Sequence, residues 1–453
     1  MMNTDLQKEK FRHMTQDPVE KLVCSMAVPS IISMLVSAFY NMADTFFVGK
    51  VSTQATAAIG VVFPYMALIQ AVSYFFGHGS GNYISRALGR QETKDAEKMA
   101  ANGFFSTLIF GLLLLVPCFL LRNPLLKGLG ATPTILPDAR NYFKYILAAT
   151  PFMMCSLVMN NQMRLQGNAR KGMIGISTGA ILNIVLDPIL IFGLNMGVSG
   201  AALATAVSQF ISFLILIHMS GQGDGVKIRW KAFSPSVKAY KEIIAGGLPS
   251  LCRQGLASIA TICLNQTAGF YGDSAIAAFS VINRISIIAS SALLGFGQGF
   301  QPVCGFNYGA RLYDRVKKAF WFCIRISTAA MTALGVFGFI FAEPIVRLFR
   351  ADDPELILIG ARTLRFQSLV FPLLGWVIIV NMFLQTTRKT ARASILAMSR
   401  QGIIFIPVLF TAMHFLALTG IQATQPISDI LTFCIAVPFG LSALHEMNEE
   451  KKN

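Results

Sequence analysis

The chain is short of charge. Only 13% of its 453 residues are Asp, Glu, Lys or Arg, about half of the roughly 25% found in soluble globular domains, which excludes a cytosolic enzyme and a disordered chain. Tryptophan is scarce, at 3 residues, and the five histidines (His13, His78, His218, His414 and His445) are scattered without ligand spacing, so they offer no metal site. The eight cysteines stand singly in or beside apolar stretches with no CxxC pair, as small buried hydrophobes do. No GxxxxGK[ST] loop is present, so ATP is not the energy source within this chain. No Ser/His/Asp or zinc-type constellation is present either, and the chain is not expected to be an enzyme or to carry a cofactor.

What is abundant is apolar length. Hydrophobic residues make up 54% of the chain and the mean hydropathy is +0.57. Runs of about 20 apolar residues, long enough to cross a hydrocarbon core of ~30 Å, recur twelve times. They fall near 23–47, 55–77, 101–121, 142–165, 172–194, 199–219, 242–269, 275–298, 319–343, 363–384, 394–418 and 423–444. The expected fold class is an all-α polytopic membrane protein with 12 transmembrane helices. Residues 1–22 are too polar for a signal-peptide core and read as a cytoplasmic amphipathic lead-in.

The net charge of +16 would by itself also suit nucleic acid. Placement decides otherwise. With the loops assigned alternately to two sides, 25 Lys and Arg fall on the side of the N-terminus, 9 on the other and four (Arg253, Arg284, Arg325 and Arg400) within spans. Both termini are therefore expected to be cytoplasmic. Clusters such as Arg86, Arg90, Lys94 and Lys98 then serve topology, and no basic patch remains for nucleic acid.

Slid against itself by 220 residues, the chain repeats. FFGHGSGNYISRALGR (75–90) lies over GFGQGFQPVCGFNYGA (295–310), pairing Gly77, Gly79 and Gly89 with Gly297, Gly299 and Gly309. The same shift matches Pro29 with Pro249, Gly49 with Gly269, Pro124 with Pro344 and Ala131 with Ala351. The expected organisation is a cytoplasmic segment 1–22, a six-helix lobe 23–220, a polar linker 221–241, a second six-helix lobe 242–445 and a tail 446–453. Parallel repeats of this kind are a transporter plan, with the substrate site between the halves.

A charge inside a span costs about 2.5–3.5 kcal/mol on insertion scales, which makes each one a functional candidate. Two acids stand out, Asp44 in FYNMADTFFVG and Asp187 in NIVLDPILIFG. Their repeat partners, Leu264 at the same offset and Ile406 where the offset has drifted by one, are apolar, so the scaffold does not require them. Asn183 lies four residues before Asp187 on one helical face, Asn41 three before Asp44, and Thr205 sits at similar depth on the sixth span. Pro188 removes a backbone donor beside the second acid. Carboxylate, amide and hydroxyl oxygens gathered in one half suit a proton, or a Na⁺ held at Asp44, Asn183, Asp187 and Thr205. Candidate substrate-cavity residues are Tyr40, Asn41 and Arg284, with Arg253 lining the cavity or pairing with a helix end. Arg164 reads as a topology charge at an inner helix end, and the glycine stretches as close-packing motifs.

The twelve spans, the motif FxxGxGSxxISRxLG after span 2, its echo FGQGFxPxxGxNxGA after span 8, and NIxLDPILIFG in span 5 resemble the multidrug and toxic compound extrusion (MATE) family. The likeness covers essentially the whole chain, and looks closest to bacterial members with their carboxylates in the first lobe. It implies two lobes alternating between inward and outward openings, exchanging H⁺ or Na⁺ for amphipathic, often cationic compounds, in a monomer of the bacterial inner membrane. Leu264, Met382 and Ile406 depart from branches that carry an acidic pair in the second lobe. A lipid-linked precursor flippase of the same architecture is the alternative. It would prefer a large cationic cavity and spans beyond twelve.

Overall fold

In lipid, the backbone of an apolar run must close its hydrogen bonds internally, and helices do so segment by segment. The computed structural model describes residues 4–222, 225–349 and 353–452. Residues 1–3 of the lead-in, Gly223 and Asp224 of the linker, Ala351 of the repeat and Asn453 of the tail lie outside them. The chain opens with α1 (Thr4–Gln16). The first half then runs through α2 (Val19–Gly49), α3 (Thr53–Gly89), α4 (Thr93–Leu120), a short α5 (Arg122–Gly128), α6 (Leu136–Leu165), α7 (Ala169–Pro188) and α8 (Val198–Ser220). The second half follows with α9 (Val237–Gly269), α10 (Asp273–Gly309), α11 (Tyr313–Ile340), a short α12 (Ala342–Phe349), α13 (Pro354–Thr386), α14 (Thr390–Met398) and α15 (Phe405–Lys452).

Ten helical stretches of the described residues are long and apolar enough to cross a membrane. One of them, 390–451, reverses at Ala417 and so crosses twice. The twelfth crossing is α9, whose Lys238, Lys241, Glu242 and Arg253 lower its hydropathy but which occupies the place of α2 in the repeat. Side chains such as Phe39, Phe63, Leu113, Phe270 and Leu369 are exposed around the outside, as a lipid-facing belt requires. All eight cysteines are free.

The repeat extends to the backbone. Helices α3, α4 and α5 begin at 53, 93 and 122, and α10, α11 and α12 at 273, 313 and 342, each 220 residues later. Turns with positive φ recur in step: Gln91 (62°) with Arg311 (58°), Gly167 (85°) with Arg388 (66°), and Gly197 (55°) with Ala417 (52°).

The halves interlock through α2 against α10 and α3 against α9. Glycine makes both crossings. A Cβ on Gly79 or Gly247 would run into the backbone of Ile243 or Phe75, and one on Gly295 or Gly299 into the backbone of Ile31 or Ala27. The glycine stretches are thus close-packing surfaces between lobes, while Gly77 and Gly81 pack within the first lobe on Asn161 and Leu165. The linker is held along the first lobe: Asn102 exchanges two hydrogen bonds with the backbone of Ser234, and Gln166 accepts from Val226 N–H at 2.9 Å.

Gly197 and Ala417 share one backbone conformation, with ψ of −132° at both. Only glycine adopts it without strain, so Ala417 stores energy that its repeat partner does not. Ala417→Gly is expected to stabilise the protein by about 1 kcal/mol and Gly197→Ala to destabilise it by at least as much, read as opposite shifts in thermal unfolding of the purified protein in detergent.

Candidate functional site

The acid cluster lies toward the end of the first lobe that is remote from the termini. Asp187 ends α7 and is fully buried, with Asn183 and Thr205 each 1% exposed beside it. Asn183 sits one turn earlier on α7, and its amide lies 3.2 Å from the Thr205 hydroxyl on α8. The orientation that satisfies both ends of the amide has its nitrogen donating to Asp187 Oδ2 at 3.2 Å and its oxygen accepting from the Thr205 hydroxyl. Asp44, on the last turns of α2, is half-buried and close enough to Asp187 for the two charges to interact. One oxygen of each carboxylate, Oδ1, is buried without a partner. Two inward-facing acceptors without donors are what a proton or a small cation would satisfy. Asn183 and Thr205 add an amide and a hydroxyl to the same pocket. The donors gathered here are carboxylate, amide and hydroxyl oxygens, a set that suits hard cations.

Of the candidate cavity residues, Tyr40 joins this cluster, within side-chain hydrogen-bonding reach of Thr205. Asn41 does not: it is exposed and turns its amide back to the Ser37 carbonyl at 2.7 Å. The reason is angular. On a helix the residue four before Asp44 lies about 40° to one side of it and the residue three before about 60° to the other, so Tyr40 and Asn41 flank Asp44 and only one of them turns toward α8. Arg284 is exposed on α10 and does not line the second-lobe cavity, which its equally exposed neighbour Asn283 does. Buried Tyr142 on α6 completes the wall near both acids. Immediately after Asp187, Pro188 leads into a π turn at Ile189–Gly193, a helix irregularity common at functional sites.

At the opposite end, near the termini, polar side chains tie the lobes together. Arg164 is 2% exposed and is not a topology charge. It donates across the junction to the Gln298 carbonyl at 2.9 Å and Gln301 Oε1 at 3.0 Å, and to Asn161 and His78 on its own side. Because His78 Nε2 accepts from that guanidinium, its proton sits on Nδ1 and is donated to Ser250 Oγ at 2.7 Å. Arg86, also read as a topology charge, is buried in an ion pair with Glu242 of α9 at 3.1 Å and donates to the Thr386 carbonyl. Among the described residues, hydrogen bonds and ion pairs between the lobes engage residues 14–34, 70–86 and 164 of the first half, with Ser106 meeting Tyr240 on the first turn of α9. The lobes are latched at the end carrying the termini, away from the acid cluster.

The second lobe has its own polar centre. A partly open cavity of about 310 Å³ lies among α9, α10, α13, α14 and the two arms of α15, and Arg253, Arg400 and Asp429 line it. Asp429, in the twelfth span and 2% exposed, is a third in-membrane acid that the sequence reading passed over. Its signal was there to be counted, since it lies inside 423–444. Its partner Arg400 is held in a second π turn, Ser399–Ile403, and its Nε donates to Asp429 Oδ1 at 2.8 Å.

Two pseudo-symmetric lobes of six membrane-crossing helices, latched at one end and carrying buried polar clusters, define a membrane transporter and not an enzyme. The family model described as MatE matches residues 29–189 and again 249–411, two matches whose starts are 220 residues apart. The chain belongs to the MatE family. It is 28% identical over 451 residues to the multidrug export protein MepA of Staphylococcus haemolyticus (strain JCSC1435), covering 98% of each. To MepA of Staphylococcus aureus (strain NCTC 8325 / PS 47) it is 27% identical over 431 residues, covering 94% of each. Similar solved structures include MATE in complex with MaL6 (TM-score 0.91, 26% identity, 96% of this chain and 99% of that one). Another is the outward-facing conformation of a multidrug resistance MATE family transporter of the MOP superfamily (TM-score 0.91, 26% identity, 96% and 98%).

The latch gives a test with an internal control. Arg86 and Glu242 are both nearly sealed from solvent, at 6% and 11% side-chain exposure, whereas Arg388, the second partner of Glu242, is 59% exposed. Arg86→Ala is expected to cost about 3 kcal/mol, because it removes the buried partner of Glu242, leaving only the solvent-exposed Arg388, and unpairs the Thr386 carbonyl. Arg388→Ala should cost about 0–1 kcal/mol, as an exposed ion pair does. Thermal unfolding of the two purified variants compares them.

Proposed function

We propose that this protein is a secondary active multidrug efflux antiporter that exports amphipathic, often cationic compounds in exchange for H⁺ or Na⁺. The observation that carries the exchange is the pair of neighbouring carboxylates, Asp44 and Asp187, each with one buried oxygen that lacks a donor. Support for the exported class comes from relatives named as multidrug export proteins along nearly the whole chain.

Helix α2 is the link between ion and lobe motion. It carries Asp44 near one end, lies against α7 with Asp187, and at its other end lies in the glycine crossing against α10. Binding of a cation between the acids removes their mutual repulsion and draws α2 toward α7. That shifts the surface α2 presents to the second lobe. An ion that prefers one arrangement of α2 drives the change only by that difference in affinity. The lobes 23–220 and 242–445 are the rocking bodies, with both termini cytoplasmic, so the latch closes the cytoplasmic side. Asn183 orients Asp187, Thr205 holds the Asn183 amide, and Tyr40 lies beside Thr205.

Proteoliposomes with a pH gradient or a Na⁺ gradient imposed separately decide the matter. One of the two gradients is expected to drive accumulation of a cationic dye. Asp187→Asn and Asp44→Asn are each expected to lower the driven rate at least about tenfold, equivalent to roughly 1.4 kcal/mol of lost coupling, while dye binding without a gradient persists. If neither gradient moves the dye, or both variants transport normally, the exchange mechanism is wrong.

A further inference from the structure

The second-lobe cavity has the opposite charge to the acid cluster. Two guanidinium groups, Arg253 on α9 and Arg400 in the π turn, face it with one carboxylate, Asp429. Asp429 is already engaged: Oδ1 accepts from Arg400 Nε at 2.8 Å and from Gln425 Nε2 at 2.9 Å. Arg253 is half-buried, and among the described residues no carboxylate pairs with it. Arg400 uses only Nε on Asp429, which leaves its outer N–H groups available. The charged groups that line this cavity therefore sum to a net positive charge. The remaining polar lining, including Asn283, Gln254 and Gln367, is neutral. Phe279, Phe371 and Phe405 supply an apolar wall on which a ring system can rest.

A guanidinium offers two parallel N–H groups that match a planar oxyanion, and the match strengthens away from bulk water. A volume of about 310 Å³ falls at the small end of ligand sites, roughly 300–1,000 Å³. That admits part of a drug-sized molecule and leaves the rest outside the cavity. We infer that this cavity binds the carboxylate end of zwitterionic amphipathic substrates, with Arg253 as its principal contact and Arg400 as the second. Asp429 is the built-in competitor that occupies Arg400 when no ligand carboxylate is present. The inference rests on the transport reading above and specifies its substrate class.

The test uses a matched dye pair, a cationic rhodamine ethyl ester and the zwitterionic free acid of the same rhodamine, which differ only at the carboxyl group. Binding to the full-length protein in nanodiscs is read by fluorescence anisotropy. Wild type is expected to bind both. Arg253→Gln should weaken binding of the free acid roughly tenfold, the worth of one charge-assisted contact, and leave the ester unchanged. Asp429→Asn should tighten the acid and not the ester, because it releases Arg400. If Arg253→Gln does not fold, Arg253→Lys keeps the charge but not the fork and should still weaken the acid selectively. The inference is overturned if wild type binds only the ester, or if the Arg253 variants change both dyes alike. Binding is measured without any gradient, so failure of gradient-driven transport counts against the exchange mechanism alone.

Discussion

Everything in this architecture depends on two backbone crossings, α2 on α10 and α3 on α9. Lipid supplies little hydrophobic drive to bring one helix to another, so helices in a membrane gain most from the closest approach their surfaces allow. At these crossings that approach is set by Gly79 and Gly247 on one side and Gly295 and Gly299 on the other, where a single Cβ would strike backbone. Those contacts place Arg164 within reach of Gln298 and Arg86 within reach of Glu242. Without the glycines, the buried guanidinium groups would lose their partners and become a cost.

The repeat explains why the lobes can be alike in shape and unlike in charge. Duplicated backbone features, down to the positive-φ turns at Gly197 and Ala417, preserve the frame. The polar residues inside each lobe are free to diverge. One lobe holds two carboxylates beside Asn183 and Thr205, and the other a pair of guanidinium groups with one carboxylate between helices. The two π turns, Ile189–Gly193 and Ser399–Ile403, do not fall at equivalent repeat positions. They follow the polar residues, not the scaffold.

Spans, lobes and the 220-residue offset were readable in the sequence because they depend on apolar length and on glycine and proline placement, which are local or periodic signals. Asp187, Asn183 and Thr205 were also readable, since an acid in an apolar run and an amide one turn away need no knowledge of neighbours. What escaped was pairing across distance. Arg164 sits at the end of its helix and looks like a topology charge, yet α3 and α6 both extend beyond the apolar run and meet the second lobe there. Asp429 has its partner 29 residues earlier on another helix, and Glu242 its partner 156 residues earlier. Composition does not show which charges meet. The Asn41 and Tyr40 exchange shows the finer limit: one residue of offset on a helix changes which side chain reaches the site.

The first helix, α1, has a part beyond that of a polar lead-in. Met14 is 1% exposed, its carbonyl accepts from Asn307 of the second lobe at 3.1 Å, and its sulfur lies where a side chain on Gly167 of the first lobe would reach. The start of the chain therefore acts as a clasp laid over the seam between two bodies. Parting the lobes at that seam uncovers the methionine, worth roughly 1.5–3 kcal/mol of apolar burial, and breaks its hydrogen bond in the same movement. A segment outside the repeat thus helps hold that end of the two lobes together.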